Sequence, residues 1–264
     1  MKQLPDFAAS VAIVVSSCDA FFDCWQQFAS FFRKFWPDCP FPVYLIVNRL
    51  PVRSSFIRAI AVGEDRNWAS NMKTALSQID AERVLYLQED YFLTAPVAED
   101  QLARDFSYAF EHDVDAFCFR ARSELEQAFA PINPDFGVVP RESDGRTRCQ
   151  LTLWKRDAFT SALRDGETAW EMESRGSART REMKILSYST RERAPVAYLM
   201  SAIVRGLWTP EAIAMCKEQN LAIDPHFRAT YSPHPLRQRL GRMQTRFGLR
   251  RELRKRRAAP VELD

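Results

Sequence analysis

Glycine is scarce in this chain, 8 in 264 residues, and none follows the first apolar run closely. A glycine-rich, phosphate-cradling loop after a first strand is therefore absent. Histidine is scarcer still: His112, His226 and His234 are not spaced as zinc ligands. The six cysteines, at 18, 24, 39, 118, 149 and 216, form no C-x-x-C pair. Together these set aside a zinc site and suit reduced thiols in a cytoplasmic protein. No apolar run approaches the roughly 20 residues of a membrane-spanning helix. The N-terminal MKQLPDFAASVAIVVSSC is interrupted by Pro5 and Asp6, and its apolar part covers only Ala8 to Val15, so it reads as a buried strand rather than a leader. There is no internal repeat and no low-complexity segment.

What is present suits a globular chain with one large core: 46% of residues are hydrophobic and 27% charged. Val11 to Val15, Val43 to Val47 and Arg83 to Leu87 are short, continuous apolar runs, as expected of strands buried on both faces. Between them, Phe21, Trp25, Phe28, Phe32 and Phe35 recur at helical steps, with Asp19 as a candidate cap and Pro37 and Pro40 as the stop. Trp68, Met72, Ala75, Leu76 and Ile79 mark a second helix after a looser region ending near Asp65. This β-α-β-(irregular)-α-β order predicts an α/β fold with a mostly parallel sheet and helices on both faces. Further helices are expected at 99–111, 156–163 and 210–219, and strands at 115–119, 149–154 and 196–204. Residues 129–148 read as a long mobile loop.

The run LYLQEDYFLTAPV places two adjacent acids, Glu89 and Asp90, at the end of the third buried strand. Burying an unpaired carboxylate is costly, so they reach solvent or meet positive charge. Acids there can hold a divalent ion on a phosphate-bearing ligand, act as acid or base, or cap the next element. A second cluster, WEME, carries Glu171 and Glu173 ahead of Arg175, Arg179 and Arg181. These acids suit the first turn of a helix, or a catalytic carboxylate with phosphate-binding arginines nearby.

The ordered pieces VAIVVSSCDAF, WPDCPFPVYLIV, Asn67-Trp68, LYLQEDYFL, CQLTLWKRD, AWEMESRGS, RGLWTPEA and NLAIDPHFR resemble bacterial GT-A-fold glycosyltransferases of the surface-polysaccharide and lipopolysaccharide assembly type. The resemblance covers about residues 9 to 228. It implies a nucleotide-sugar donor, a glycan or lipid-linked acceptor, and a divalent metal, Mn²⁺ or Mg²⁺. Asp90 matches the metal-binding third position of the D-x-D pattern, whereas Gln88 replaces its first acid. By the same resemblance Ser16, Ser17 and Asp19, with Asp65, Arg66 and Asn67, lie at the donor nucleotide, Gln88, Glu89 and Asp90 meet its diphosphate side, and Glu173, with Glu171 second, is the base.

The C-terminal segment is strongly basic. From Arg237 to Arg257 there are ten Lys/Arg and one acid, Glu252, a net of +9 that leaves −6 for the rest of a chain totalling +3. Leu236, Leu240, Met243 and Phe247 recur at steps of four, three and four among these arginines. That is the pattern of a basic amphipathic helix for an anionic membrane surface. With one aromatic in the stretch, nucleic acid is the weaker partner.

The expectation is a GT-A-like domain over 1–232 and a basic tail over 233–264. The chain would be a cytoplasmic glycosyltransferase, peripheral on the inner face of the plasma membrane. A sugar nucleotidyltransferase, and a non-catalytic membrane- or RNA-associated scaffold retaining the fold, stay open. The sugar, base, acceptor, stereochemical course and oligomeric state are not legible.

Overall fold

The computed structural model describes residues 2–120, 130–256 and 259–264. Its elements in chain order are β1 (Val11–Ser16), α1 (Phe22–Phe35), β2 (Val43–Val47), β3 (Val52–Arg53), β4 (Ile57–Ala61), α2 (Trp68–Leu76), β5 (Arg83–Gln88), β6 (Phe92–Leu93) and α3 (Glu99–Glu111). They continue with β7 (Ala116–Cys118), β8 (Ala130–Pro131), β9 (Phe136–Val138), β10 (Thr152–Lys155), α4 (Arg156–Ala162), α5 (Ala169–Arg179) and β11 (Ile185–Tyr188). The last are β12 (Tyr198–Leu199), β13 (Ile203–Val204), β14 (Leu207–Trp208), α6 (Pro210–Glu218), α7 (Pro235–Arg256) and β15 (Val261–Glu262).

The central sheet has nine strands in the order β4-β2-β1-β5-β10-β7-β11-β9-β8. Strands β4, β2, β1 and β5 are mutually parallel, as are β7 and β11; β10 runs against both its neighbours, and β9 runs against β11. The expected mixed α/β fold with a mostly parallel sheet is borne out. Alternation along β1 shows why its run is apolar throughout. Val11, Ile13 and Val15 pack in a layer with α1 and α3, while Ala12 and Val14 pack in the opposite layer with α2, Phe159 of α4 and Met172 of α5. A strand with helices on both faces has no solvent side on which to alternate polar residues.

Several expectations shift. Asp19 does not cap the first helix: Cys18 stands at the N-cap of a 3-10 turn over Asp19–Phe21 that leads into α1. The looser region before Asp65 holds the edge strand β4, and β11 follows α5 where no strand was expected. Most of the long loop lies within the described residues, and there it is anchored, with Phe129 outside them. Strands β8 and β9 extend the sheet, and buried Arg146 donates to the carbonyls of Val139, Pro140, Thr180 and Met183.

The largest difference is in the basic segment, which packs on the body rather than hanging as a tail. Gln238, Gly241 and Thr245 form the buried face of α7, and Thr245 Oγ1 accepts the N–H of Ala229. Gly241 and Gly248 let the helix come close: a Cβ at 248 would lie 2.8 Å from the Phe227 carbonyl oxygen. Beyond it β15 pairs with β3, Leu263 is buried, and Asp264 accepts the Ser55 N–H. Arg257, the last basic residue of the stretch, lies outside the described residues.

Candidate functional site

Strands β1 and β5 are parallel neighbours, and their last residues, Ser16 and Gln88, stand opposite one another. Beyond their carboxyl ends the chain turns away in different directions. That divergence opens a crevice in any sheet of this kind. Here it is a cleft of about 280 Å³, closed by the first turns of α2 and α5. Ser16, Ser17, Cys18 and Phe21 line one wall, Asp65, Asn67, Trp68 and Asn71 another, and Gln88 and Glu89 the strand end. Of the expected donor residues, Ser16, Ser17, Asp65, Asn67, Gln88 and Glu89 thus come together, whereas Asp19, Arg66 and Asp90 are not among the lining residues.

The local chemistry explains both groups. Ser16 Oγ accepts the indole N–H of Trp68 at 3.0 Å, and Ser17 Oγ accepts that of Trp25 at 2.7 Å. The Ser16 hydroxyl therefore fixes the Trp68 wall, while the Ser17 hydroxyl is tied to buried Trp25. Asn67 is the N-cap of α2, its side chain accepting the Ser70 N–H at 2.9 Å. Asp65 Oδ1 accepts from Asn71 Nδ2 at 2.7 Å, which sets a carboxylate and an amide side by side at the cleft. Arg66 points into solvent, with its backbone N–H on Asn71 Oδ1. Asp19 is spent elsewhere: its carboxylate accepts the backbone N–H groups of Asn48, Arg49 and Leu50 at 2.8–3.1 Å, tying the turn after β1 to the end of β2.

The acid pair at the end of β5 is buried, and positive charge does meet it. Arg228, fully buried, forms a two-pronged ion pair with Asp23 at 2.7 and 2.8 Å, and its field pulls down the carboxyls of Glu89 and Asp90. It does not win. Burial, then the neighbouring Asp90, hold Glu89 well above the usual carboxylate range. Burial pushes Asp90 up to about 7 against the Ile203 N–H and Arg228. Asp90 Oδ2 accepts the Ile203 N–H at 3.4 Å, while its Oδ1 is buried with no hydrogen-bond partner. That orphaned oxygen is what a divalent ion would find here, with Glu89 beside it. Gln88 offers little in the first position, because its amide donates to Tyr86 Oη and the Cys149 carbonyl, both at 3.0 Å. No cluster of three or more His, Cys, Asp or Glu is present among the described residues, so other oxygens of the ion's shell would have to come from a ligand.

The two acids of α5 part company. Glu171 closes a capping box with Thr168, each side chain bonding the other's backbone N–H, and pairs with Arg175 one turn on. The Thr168 N–H holds its carboxyl below the usual range. This carboxylate is engaged at the helix end. Glu173 faces inward, its Oε1 accepting the Cys149 N–H at 2.7 Å. The Cys149 carbonyl also accepts from Gln88 and from Tyr91 Oη, so Glu173 stands one residue from the strand end.

Sequence reasoning missed Phe21, Asn71, Asp23 and Arg228 as site residues. Arg228 lies in the quoted piece NLAIDPHFR, but its partner is 205 positions away, and no local pattern announces such a pair.

No protein-family model matches the chain, and no curated protein does. Among solved structures it is similar to residues 1–349 of TarS from S. aureus, at 11% identity and a TM-score of 0.48, over 72% of this chain and 59% of that one. It is similar to a cytidylyltransferase from Leptospira borgpetersenii at 10% identity and a TM-score of 0.44, over 81% of this chain and 99% of that one. It is also similar to an active-site mutant of LgtC at 13% identity and a TM-score of 0.38, over 89% and 83% of the two chains. The chain spans about three fifths of the first of these. At such identity the likeness is one of fold and says nothing of the reaction.

Proposed function

We propose that this protein transfers a sugar from a nucleotide-sugar donor to a bacterial surface glycan or a lipid-linked acceptor. The observation that carries the proposal is the cleft at the carboxyl ends of β1 and β5, lined by the Asp65–Asn71 pair and by Glu89, with Asp90 the next residue along the chain. A cleft of about 280 Å³ is at the small end for ligand sites, enough for a nucleoside but not for a whole nucleotide sugar. The base and ribose would lie between Phe21 and Trp68, with Asp65 and Asn71 offering an acceptor and a donor to the base edge. The diphosphate and sugar would leave the cleft past Glu89.

A bound Mn²⁺ or Mg²⁺ would be held by Asp90, with Glu89 beside it, and would supply charge neutralisation to the leaving diphosphate. Glu173 is the proposed base. An acceptor hydroxyl attacks the anomeric carbon, the bond from that carbon to the diphosphate oxygen breaks, and the hydroxyl proton passes to the Glu173 carboxylate. A base in this role serves an inverting displacement. Support for Glu173 over Glu171 comes from their partners, since Glu171 is engaged in the capping box and Glu173 adjoins Cys149 beside Gln88. Nucleotidyl transfer is the lesser reading, because the turn Ser16-Ser17-Cys18-Asp19 contains no glycine to bring backbone N–H groups around a triphosphate.

No helix among the described residues is long and apolar enough to cross a membrane. The proposal has the chain work in the cytoplasm, peripheral on the inner face of the membrane through α7. It is tested by incubating the protein with UDP-, GDP-, CDP- and dTDP-sugars and Mn²⁺ and following release of the nucleoside diphosphate. Slow hydrolysis of one donor class, lost in Asp65→Ala, is expected. Inertness toward every donor, with no binding of any, would overturn the proposal in favour of a scaffold.

A further inference from the structure

A second, larger cleft of about 740 Å³ lies between α7 and the turn after β1. Five of its lining residues are arginines, Arg205, Arg228, Arg239, Arg242 and Arg246, and no acid lines it. Arg228 is the brace: besides Asp23 it donates to the carbonyls of Ala20, in the turn after β1, and of Gly206, between β13 and β14. Arg239, Arg242 and Arg246 follow one another at helical steps along one flank of α7, are exposed, and make no ion pair among the described residues. Arg205 is a costly choice. It opens the two-residue turn between β13 and β14 at φ 53°, followed by Gly206 at φ 79°, where asparagine or glycine is the easier residue. It lines the cleft all the same, steadied by a bond from its guanidinium to Gln238. Four guanidinium groups without a carboxylate in one concavity are suited to a phosphate or diphosphate group.

The neighbouring flank of α7, about 100° round the helix, carries Leu236, Leu240, Met243 and Phe247. Leu240 is 65% and Phe247 69% exposed, and Met243 also lines the cleft. Packing on the body is done by the opposite face, so this stripe is not needed for the fold. We infer that the cleft binds the phosphate headgroup of an aliphatic lipid, with the guanidinium groups on the phosphate and the stripe against the chain. A membrane-borne phosphate matches both features at once, whereas RNA would call for aromatic platforms, of which α7 has one, Phe247. Phe21 lines both clefts, so a headgroup bound here would sit next to the smaller cleft. The binding step itself does not depend on sugar transfer.

The test uses the full chain with phosphatidylcholine vesicles, with and without phosphatidic acid, and with inorganic pyrophosphate. The protein should sediment with the phosphatidic acid vesicles and not with the neutral ones. Each arginine near an anionic surface contributes a factor of about five, so R239Q/R242Q/R246Q should lose on the order of a hundredfold. Its melting curve should stay unchanged, because all three positions are exposed. L240S/F247S should lose vesicle binding yet still bind pyrophosphate. Vesicle binding unchanged in the arginine variant, or equal binding to neutral vesicles, would overturn the inference. So would RNA binding in place of lipid, or a parallel loss of nucleoside diphosphate binding in the arginine variant, which would assign the cleft to a nucleotide.

Discussion

Gln88 and Glu173 hold the same residue from its two sides. The Gln88 amide donates to the carbonyl oxygen of Cys149 at 3.0 Å, and the Glu173 carboxylate accepts the Cys149 N–H at 2.7 Å. Through this one residue the end of β5 and the first turns of α5 are fixed to each other, and with them the two places where acid chemistry is proposed.

Glu173→Gln tests the base. The amide oxygen can still accept the Cys149 N–H, so fold and donor affinity should hold. Turnover should fall by about 10²–10⁴-fold, the usual contribution of a positioned base. Steady-state kinetics would show this as a loss in kcat with little change in donor KM. Full turnover in the folded variant would remove Glu173 from the reaction.

Arg228 is the positive charge under the acid pair, and its ion pair with Asp23 is almost wholly buried. Arg228→Met leaves Asp23, Glu89 and Asp90 uncompensated and should cost about 3–5 kcal/mol. Adding Asp23→Asn should return part of that loss. Urea denaturation of the single and double variants measures both numbers, and purely additive losses would mean that the pair is not coupled.

Close approach of α7 rests on Gly248. Alanine there gains up to about 1 kcal/mol of helix propensity, but its Cβ would press on the Phe227 carbonyl oxygen, 2.8 Å away. The clash should win, leaving Gly248→Ala less stable by about 1–3 kcal/mol. A higher Tm in this variant would mean that the helix rides loosely on the body.

Asp105 of α3 supplies a pH signature. It is buried and accepts from Tyr188 Oη at 2.5 Å, and burial pushes its carboxyl from 3.8 up to about 7. The folded protein holds this proton where the unfolded chain releases it. Its contribution is therefore full below about pH 4 and is lost as pH rises through about 7. Asp105→Asn keeps an acceptor for Tyr188 and cannot ionise. Its Tm should fall less than that of the native protein across this window, and it should be the more stable of the two above it. Parallel Tm curves across that range would contradict the assignment.

Much of the fold was legible because its central strands are buried on both faces. Val11 to Val15, Val43 to Val47 and Arg83 to Leu87 have no polar side to confuse the pattern, and Asn67 marks the start of α2 as a cap should. Strand β4 was missed because it is an edge, with Arg58, Ala59 and Ala61 exposed. Strand β11 has four residues, too few for a period to declare itself. At the site, the sequence led to the end of β5 because acids after an apolar run stand out. It also pointed to Asp19 and Glu171, whose carboxylates are taken by backbone N–H groups, and it passed over Asp23 and Arg228. Which partner a carboxylate finds depends on chain reversals that bring distant segments together, and local spacing does not encode them. The basic segment was expected as a helical tail; it is a helix, and it packs on the body. Its docking face is made of Gly241, Thr245 and Gly248, whose smallness, not hydrophobicity, is what packs.

Donor binding in the β1/β5 cleft is the central claim. Isothermal titration of UDP, GDP, CDP and dTDP, each with Mn²⁺ and with EDTA, tests it directly, with the fluorescence of Trp68 at the cleft wall as a second readout. One nucleotide should bind and perturb that fluorescence. Asp65→Ala should weaken it by roughly tenfold to a hundredfold, the range for a hydrogen bond to a charged group. If no nucleotide binds the folded protein, or if binding is indifferent to Asp65→Ala, the cleft is not a donor site and the account fails.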